Sequence, residues 1–134
     1  MNTFKKEERL CSVRLIQSLF HSGSSFVVYP FRVVCHFEDR DVGSAQVLIS
    51  VSKRRFKLAV TRNRIKRRMR EAYRLEKSAT LYPFVEKRNL YLAFALQYIG
   101  RPEEATVSLL REKLITVFKK LQHESDRLDQ HLSD

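Results

Sequence analysis

The sequence contains few of the residues that interrupt helices and strands or form cross-links. It contains three glycines, three prolines and two cysteines in 134 residues, which predicts a single domain over 1–134 with few long loops. Cys11 and Cys35 lack the spacing and companion ligands of a metal site, so we interpret them as reduced thiols of a cytoplasmic protein. The longest apolar run, Leu90–Leu96, is too short to cross a bilayer, and the polar start at 1–9 predicts no signal peptide.

Acidic residues are absent from the segment 53–70, which holds ten lysines and arginines. Such a run is as often a solvated tail or an address signal as a binding surface. Apolar residues spaced through it argue against a tail, because they give the segment a side to bury. Thr61 is suited to an N-cap, so we predict a helix from Thr61 to about Glu76.

A helical projection of this segment separates two kinds of side chain. The apolar arc consists of Ile65, Met69, Ala72 and Tyr73, and the neighbouring basic arc consists of Asn63, Lys66, Arg67, Arg70 and Arg74. Like charges at this spacing destabilise an isolated helix, so a polyanion must supply the missing charge. The net charge of +11 and the planar fork of arginine, which suits phosphate and base edges, indicate a nucleic-acid-binding helix.

The remaining patterns predict the other elements. We expect a helix capped by Ser12 and running to His21, strands at 26–37, 45–51 and 90–98, an irregular connection at 77–89, and a helix from Pro102 to about His123. The order is helix, two or three strands, basic helix, strand and helix, which predicts an α+β two-layer sandwich with helices on one face of a small sheet. We expect a mobile basic arm at 1–10 and a frayed tail at 125–134.

A nuclease with its own active site is the competing interpretation. It would need convergent carboxylates, or histidine with carboxylate, around a metal or a scissile phosphate. The closest acids, Glu38, Asp39 and Asp41, fall in one turn that is typical of a solvated hairpin tip. We therefore predict no catalytic and no metal-binding residue. Another structured-RNA-binding, DNA-binding or ribosomal protein using the same basic helix remains an alternative.

The segments 50–53 (SVSK) and 59–71 (AVTRNRIKRRMRE) resemble the signature of the bacterial ribonuclease P protein subunit. The similarity implies the sandwich of ribosomal protein S5 domain 2 type. It also implies a subunit that binds a catalytic RNA and precursor tRNA, from which the holoenzyme removes the 5′ leader. The chemistry, and the Mg²⁺ it uses, would belong mainly to the RNA. It implies no membrane and no protein partner.

The resemblance also assigns residues. The residues it implies for RNA binding are Lys53, Arg54, Arg55, Arg62, Asn63, Arg64, Lys66, Arg67 and Arg70. Those it implies for a cleft that holds the leader are Ile16, Phe20, Arg32, Val34 and His36. The chain departs from the family where Ile16 and Val34 replace frequent aromatic residues, and where Phe56-Lys57-Leu58 replaces a frequent Gly-Asn pair. We therefore expect a leader cleft that relies more on apolar contact than on stacking.

Overall fold

The computed structural model describes residues 4 and 6–132, with side chains described up to residue 127. Four strands and four helices form one α+β arrangement. The elements are α1 (Val13–Ser22), β1 (Ser24–Val28), β2 (Phe31–Asp39), β3 (Ser44–Val51), α2 (Ala59–Glu76), α3 (Tyr82–Lys87), β4 (Leu90–Tyr98) and α4 (Val107–Leu132). The predicted fold class is confirmed.

The sheet has the strand order β1-β2-β4-β3. β1 with β2 and β2 with β4 are antiparallel, whereas β3 runs parallel to β4. A parallel neighbour requires a crossover connection, and here α2 and α3 make it. β4 is an interior strand whose residues 90–96 are all buried, as its uniformly apolar sequence predicts.

The two faces of the sheet carry different helices. Phe31, Phe94 and Leu96 belong to the main core, which α2 and α4 close. Val34 and Ala95 point to the opposite face, where a smaller cluster packs against Leu19 and other residues of α1. The expectation that the helices share one face is therefore wrong for α1, because an amphipathic pattern does not tell which face of a sheet a helix covers.

Two local expectations also need correction. The apolar stretch 26–37 is a hairpin and not one strand, since a turn at Tyr29-Pro30 separates β1 from β2 and proline cannot donate a hydrogen bond to a ladder. The connection 77–89 is largely helical, with a π-helical turn at Lys77–Leu81 leading into α3.

The last helix starts later and ends later than expected. Pro102–Glu104 forms a separate 3₁₀ turn, and α4 begins at Val107, with the hydroxyl of Thr106 accepting from the backbone N–H of Leu109 at 3.3 Å. α4 then continues to Leu132, so the predicted frayed tail is helical at 125–132, and Ser125 is buried. Residues 133–134 lie outside the described residues.

The N-terminal segment 6–10 is packed and not a mobile arm. Arg9 bridges to Val47 of β3, and the N–H of Leu10 donates to the Val47 carbonyl at 2.9 Å. Lys77, only 2% exposed, pairs with Glu8, which also accepts from the hydroxyl of Tyr82. A buried charge requires a partner, and this pair ties the segment to the end of α2. Residues 1–3 and 5 of the predicted arm lie outside the described residues.

Gly43 makes the closest glycine contact of the fold. A Cβ at this position would lie 2.0 Å from the carbonyl oxygen of Val85, in α3. A backbone atom cannot move aside as a flexible side chain can, so any larger residue would push the β2–β3 turn away from α3. This contact fixes the crossover against the sheet and thereby helps to place α2.

Candidate nucleic-acid interface

α2 divides into a buried side and a charged side, as the projection predicts. Ile65, Met69, Ala72 and Tyr73 are 0% exposed, in the main core. Asn63, Arg67 and Arg70 are exposed, and Arg64 and Lys66 are half-buried. We call these five polar and basic residues, together with Lys53, Arg54 and Arg55, the basic face. Because the core fixes α2, the basic face is held on a rigid support.

The loop that precedes α2 is anchored at two points. The hydroxyl of Ser52 accepts from the backbone N–H groups of Arg54 (3.2 Å) and Arg55 (3.3 Å). Phe56 is buried, and its ring centroid lies 6.1 Å from that of Tyr98. Lys53, Arg54 and Arg55 are exposed between these anchors. Sequence reasoning missed the roles of Ser52 and Phe56, although serine is a recognised turn residue because its hydroxyl can bond to the backbone two residues further on.

Arg62 differs from the other predicted RNA-binding residues. One guanidinium nitrogen donates to the carbonyl oxygens of Phe56 (2.6 Å) and Lys57 (3.0 Å), so part of this side chain holds the loop. The N-cap of α2 is Leu58, which makes no side-chain capping bond. The prediction that Thr61 caps the helix is therefore wrong; Thr61 lies within the first turn, because the helix begins two residues earlier.

Two further arginines of α2 bind to other groups of the protein itself. Arg68 donates to the carbonyl oxygen of Ala105 at 3.0 Å, which joins α2 to the segment before α4. Arg74 pairs with Glu71 at 2.5 Å, and its guanidinium lowers the pKa of that carboxyl group. Neither belongs to the predicted RNA-binding set, although Arg74 lies on the predicted basic arc. The net positive charge offered outward therefore concentrates from Lys53 to Arg70.

The second predicted surface lies between α1 and the sheet. Phe20 is 54% exposed and Ile16 is half-buried, on the helix side. On the strand side Arg32 is exposed and His36 is half-buried, whereas Val34 is 7% exposed, in the cluster with Leu19. The structure thus brings all five predicted residues to one region. Val34 serves mainly as packing under α1 and offers little surface to a ligand.

The open end of this face carries residues that sequence reasoning did not select. Strand register places Val27 of β1 beside Arg32, and Arg32 beside Gln97 of β4. Val27 is 55% exposed, so an apolar side chain lies next to a cation at the sheet surface. Recognising the turn at Tyr29-Pro30 would have revealed Val27, because the hairpin places the two strands side by side. We call the region bounded by α1, Val27, Arg32 and His36 the α1 cleft.

The prediction that Glu38, Asp39 and Asp41 share one turn is wrong for two of them, because Glu38 and Asp39 pair with β4 at the end of β2. Glu38 is held by its neighbours. Glu38 accepts from Arg40 at 2.8 Å and lies 3.3 Å from the Nε2 atom of His36. The Arg40 hydrogen bond, followed by that of His36, lowers the pKa of Glu38. The Arg40 guanidinium also covers the ring of Tyr91 at 4.5 Å. Over the described part of the chain, no three histidine, cysteine, aspartate or glutamate side chains assemble into a metal-binding group.

A small α+β protein with one strongly basic, rigidly supported helix face belongs to the class of candidate nucleic-acid-binding proteins. The ribonuclease P family model matches residues 4–122. A ribonuclease P protein component of Porphyromonas gingivalis is 40% identical over 111 residues, covering 81% of this chain and 80% of that one. The corresponding protein of Chlorobium phaeobacteroides is 37% identical over 123 residues, covering 85% and 84%.

Solved structures share the fold. A Staphylococcus aureus RNase P protein mutant with defective mRNA degradation activity has a TM-score of 0.65 at 23% identity, covering 87% of this chain and 90% of that one. The RNase P protein of Thermotoga maritima has a TM-score of 0.59 at 24% identity, covering 84% and 96%.

The chain belongs to the ribonuclease P protein family. Its expected identity as a protein subunit of ribonuclease P, with the RNA of that enzyme as partner, is thereby confirmed. None of the helices between residues 6 and 132 has the length and apolar character of a membrane span.

Proposed function

We propose that the basic face binds the catalytic RNA of ribonuclease P and that the α1 cleft receives the 5′ leader of precursor tRNA in the cytoplasm. The observation that carries this proposal is the division of α2. Its apolar side is fully buried while its other side presents cations from Lys53 to Arg70. Charged side chains on a fixed helix meet a polyanion without having to order a flexible segment first.

The two surfaces suit different parts of an RNA. Arginine-rich helix surfaces contact phosphates and base edges of structured RNA. The α1 cleft offers an exposed aromatic ring, Phe20, and an exposed apolar side chain, Val27, beside the cation Arg32. Unstacked bases of a single strand bind to such mixtures of apolar surface and positive charge. A leader is single-stranded, and mature tRNA has none to place there.

The chemistry belongs to the RNA in this proposal. Mg²⁺, held mainly by that RNA, would supply charge stabilisation at the scissile phosphate. The described residues offer no cluster of metal ligands, and Glu38 is already engaged by Arg40 and His36. The protein contributes affinity for the precursor and neutralises phosphate charge around the basic face.

Single-turnover cleavage of precursor tRNA tests this division of labour. At saturating enzyme, Glu38→Gln and His36→Ala should leave the cleavage rate nearly unchanged, and the RNA alone should cleave at high Mg²⁺ because divalent ions screen the same phosphates. Loss of cleavage in the Glu38→Gln holoenzyme, together with an inactive RNA alone, would place the active site on the protein.

The salt dependence of RNA binding tests the basic face separately. Six phosphate contacts would give a slope of about −5 for log K against log salt concentration. A nearly flat dependence would contradict the proposal that the basic face is the principal contact. Duplex DNA, a ribosomal RNA fragment and the ribonuclease P RNA, compared at matched salt, distinguish this function from that of a general or ribosomal RNA-binding protein.

A further inference from the structure

We propose that a notch between the N-terminal segment and β3 binds one unpaired base of the ribonuclease P RNA that the basic face holds. This inference rests on the proposed function. β3 is the edge strand of the sheet, and the N-terminal segment covers its edge through an isolated bridge between Arg9 and Val47. The chain then turns toward α1, whose N-cap is Ser12.

The divergence of these two segments leaves a cavity of about 170 Å³. It is lined by Phe4, Arg9, Leu10, Cys11, Val47, Leu48, Ile49 and Arg70. A cavity of about 150 Å³ is large enough for a benzene ring, so this notch has room for the ring of a base while its sugar and phosphate stay outside.

The lining suits a base in its chemistry as well as its size. The half-buried Leu48 and Ile49 provide apolar surface, and the Arg9 guanidinium already lies 5.2 Å from the centre of the Phe4 ring. A further planar ring can stack on the exposed Arg9 guanidinium. Backbone groups along a strand edge alternate in direction, so Ile49 presents its N–H and C=O on the same edge as Val47. These groups offer hydrogen bonds to the edge of a base.

Charge and position indicate which molecule the base belongs to. Arg9 and Arg70 are both exposed at the notch, and Arg70 is also part of the basic face. A strand whose phosphate contacts Arg70 would therefore bring its neighbouring base to the notch opening. The α1 cleft, proposed for the leader, is instead bounded by β1 and β2. The notch is thus assigned to the RNA subunit and not to the leader.

Cys11 provides a selective test because it is exposed at the notch, whereas Cys35 is buried and burial raises its pKa to about 12. N-ethylmaleimide at neutral pH should therefore modify Cys11 and spare Cys35. We expect the modified protein to bind the ribonuclease P RNA about 5- to 150-fold more weakly, as for loss of one stacked base. The slope of log K against log salt should not change, because no phosphate contact is lost.

The matched control is Cys11→Ser carried through the same treatment, which should keep full affinity. Arg70→Ala should instead lower the salt slope by about one. In the unmodified protein, saturating RNA should slow the reaction of Cys11 with the reagent at least tenfold. The ratio of the affinities for leader-bearing and mature tRNA should stay the same when Cys11 is modified.

Three results would contradict base binding at the notch without contradicting RNA binding by the basic face. They are equal RNA affinity before and after modification, an unprotected Cys11 in a saturated complex, and a loss confined to leader-bearing substrate. Absence of RNA binding by the untreated protein would instead contradict the proposed function. If modification lowers the melting temperature, the protection measurement alone decides, since it uses the unmodified chain.

Discussion

α1 and α2 lie on opposite faces of the same sheet and are held in different ways. α2 buries a complete apolar stripe, and its two ends are tied through Arg62 to the preceding loop and through the adjacent Lys77 to Glu8. α1 has one buried residue, Leu19, and leaves Val13 and Phe20 exposed. A firmly packed helix keeps many charges in fixed positions, whereas a lightly packed one keeps apolar surface available for a ligand.

The largest effect should come from the tie at the end of α2. Glu8→Ala removes the carboxylate that pairs with the buried Lys77, so we expect a loss of about 3–5 kcal/mol in the free energy of unfolding. Urea denaturation measures it. Glu7→Ala is the matched control, because Glu7 is exposed one residue earlier and its loss should change stability by less than about 0.5 kcal/mol. Equal effects of the two substitutions would show that the tie does not secure α2.

The two sides of α2 should respond in opposite ways. Met69→Ala creates a cavity in the main core and should cost about 2–5 kcal/mol of stability. Arg67→Ala, two residues earlier on the basic face, should leave stability within about 0.5 kcal/mol but weaken RNA binding and lower the salt slope by about one. Thermal melts and salt titrations of both variants measure this difference. An unfolded Arg67→Ala protein beside an unaffected Met69→Ala protein would invert the assignment of the two sides.

On α1 the expected effect is on substrate affinity. Phe20→Ser should weaken binding of leader-bearing tRNA by about 1–3 kcal/mol, the range for one stacked base, because the exposed ring is the aromatic surface of the α1 cleft. Mature tRNA provides the control, and its affinity should stay the same. Fluorescence titration with both tRNAs measures the ratio. A similar loss for both would mean that Phe20 does not contact the leader.

The smallest effect concerns how α1 begins. The hydroxyl of Ser12 accepts from the N–H of Leu15 at 3.3 Å, so Ser12→Ala should cost about 0.5–2 kcal/mol. α2 has no such side-chain cap, and Thr61→Ala should therefore cost less than Ser12→Ala. Chemical denaturation of the two variants compares them directly. A larger loss for Thr61→Ala would restore Thr61 as a determinant of the helix start.

Elements with a strong local period were predictable from the sequence. The buried stripe of α2, the start of α1 at Ser12 and the bounds of β4 follow from residue spacing and capping alone. The basic face was predictable as a surface, because charge and apolar residues separate cleanly along α2. Its individual RNA contacts remain predictions.

The structure differs from the sequence-based predictions where residues that are distant in sequence determine the local structure. Lys77 is buried because Glu8, 69 positions away in sequence, neutralises it, and nothing near Lys77 signals this. Arg62 holds the loop before α2, so the helix starts before the capping residue that a local pattern selects. The apolar run 26–31 continues without a polar residue through Tyr29-Pro30, which concealed the hairpin and with it Val27.

The crossover position of α2 has a consequence for protein engineering. Many arginine-rich RNA-binding segments are disordered peptides that fold on contact and can be moved between proteins as independent units. Here the basic helix is also the connection between the parallel strands β3 and β4, and it supplies four fully buried residues to the core. Grafting it elsewhere would remove the surroundings that orient it, and deleting it would separate the two strands. We therefore expect transfer of its RNA-binding activity to require the whole domain.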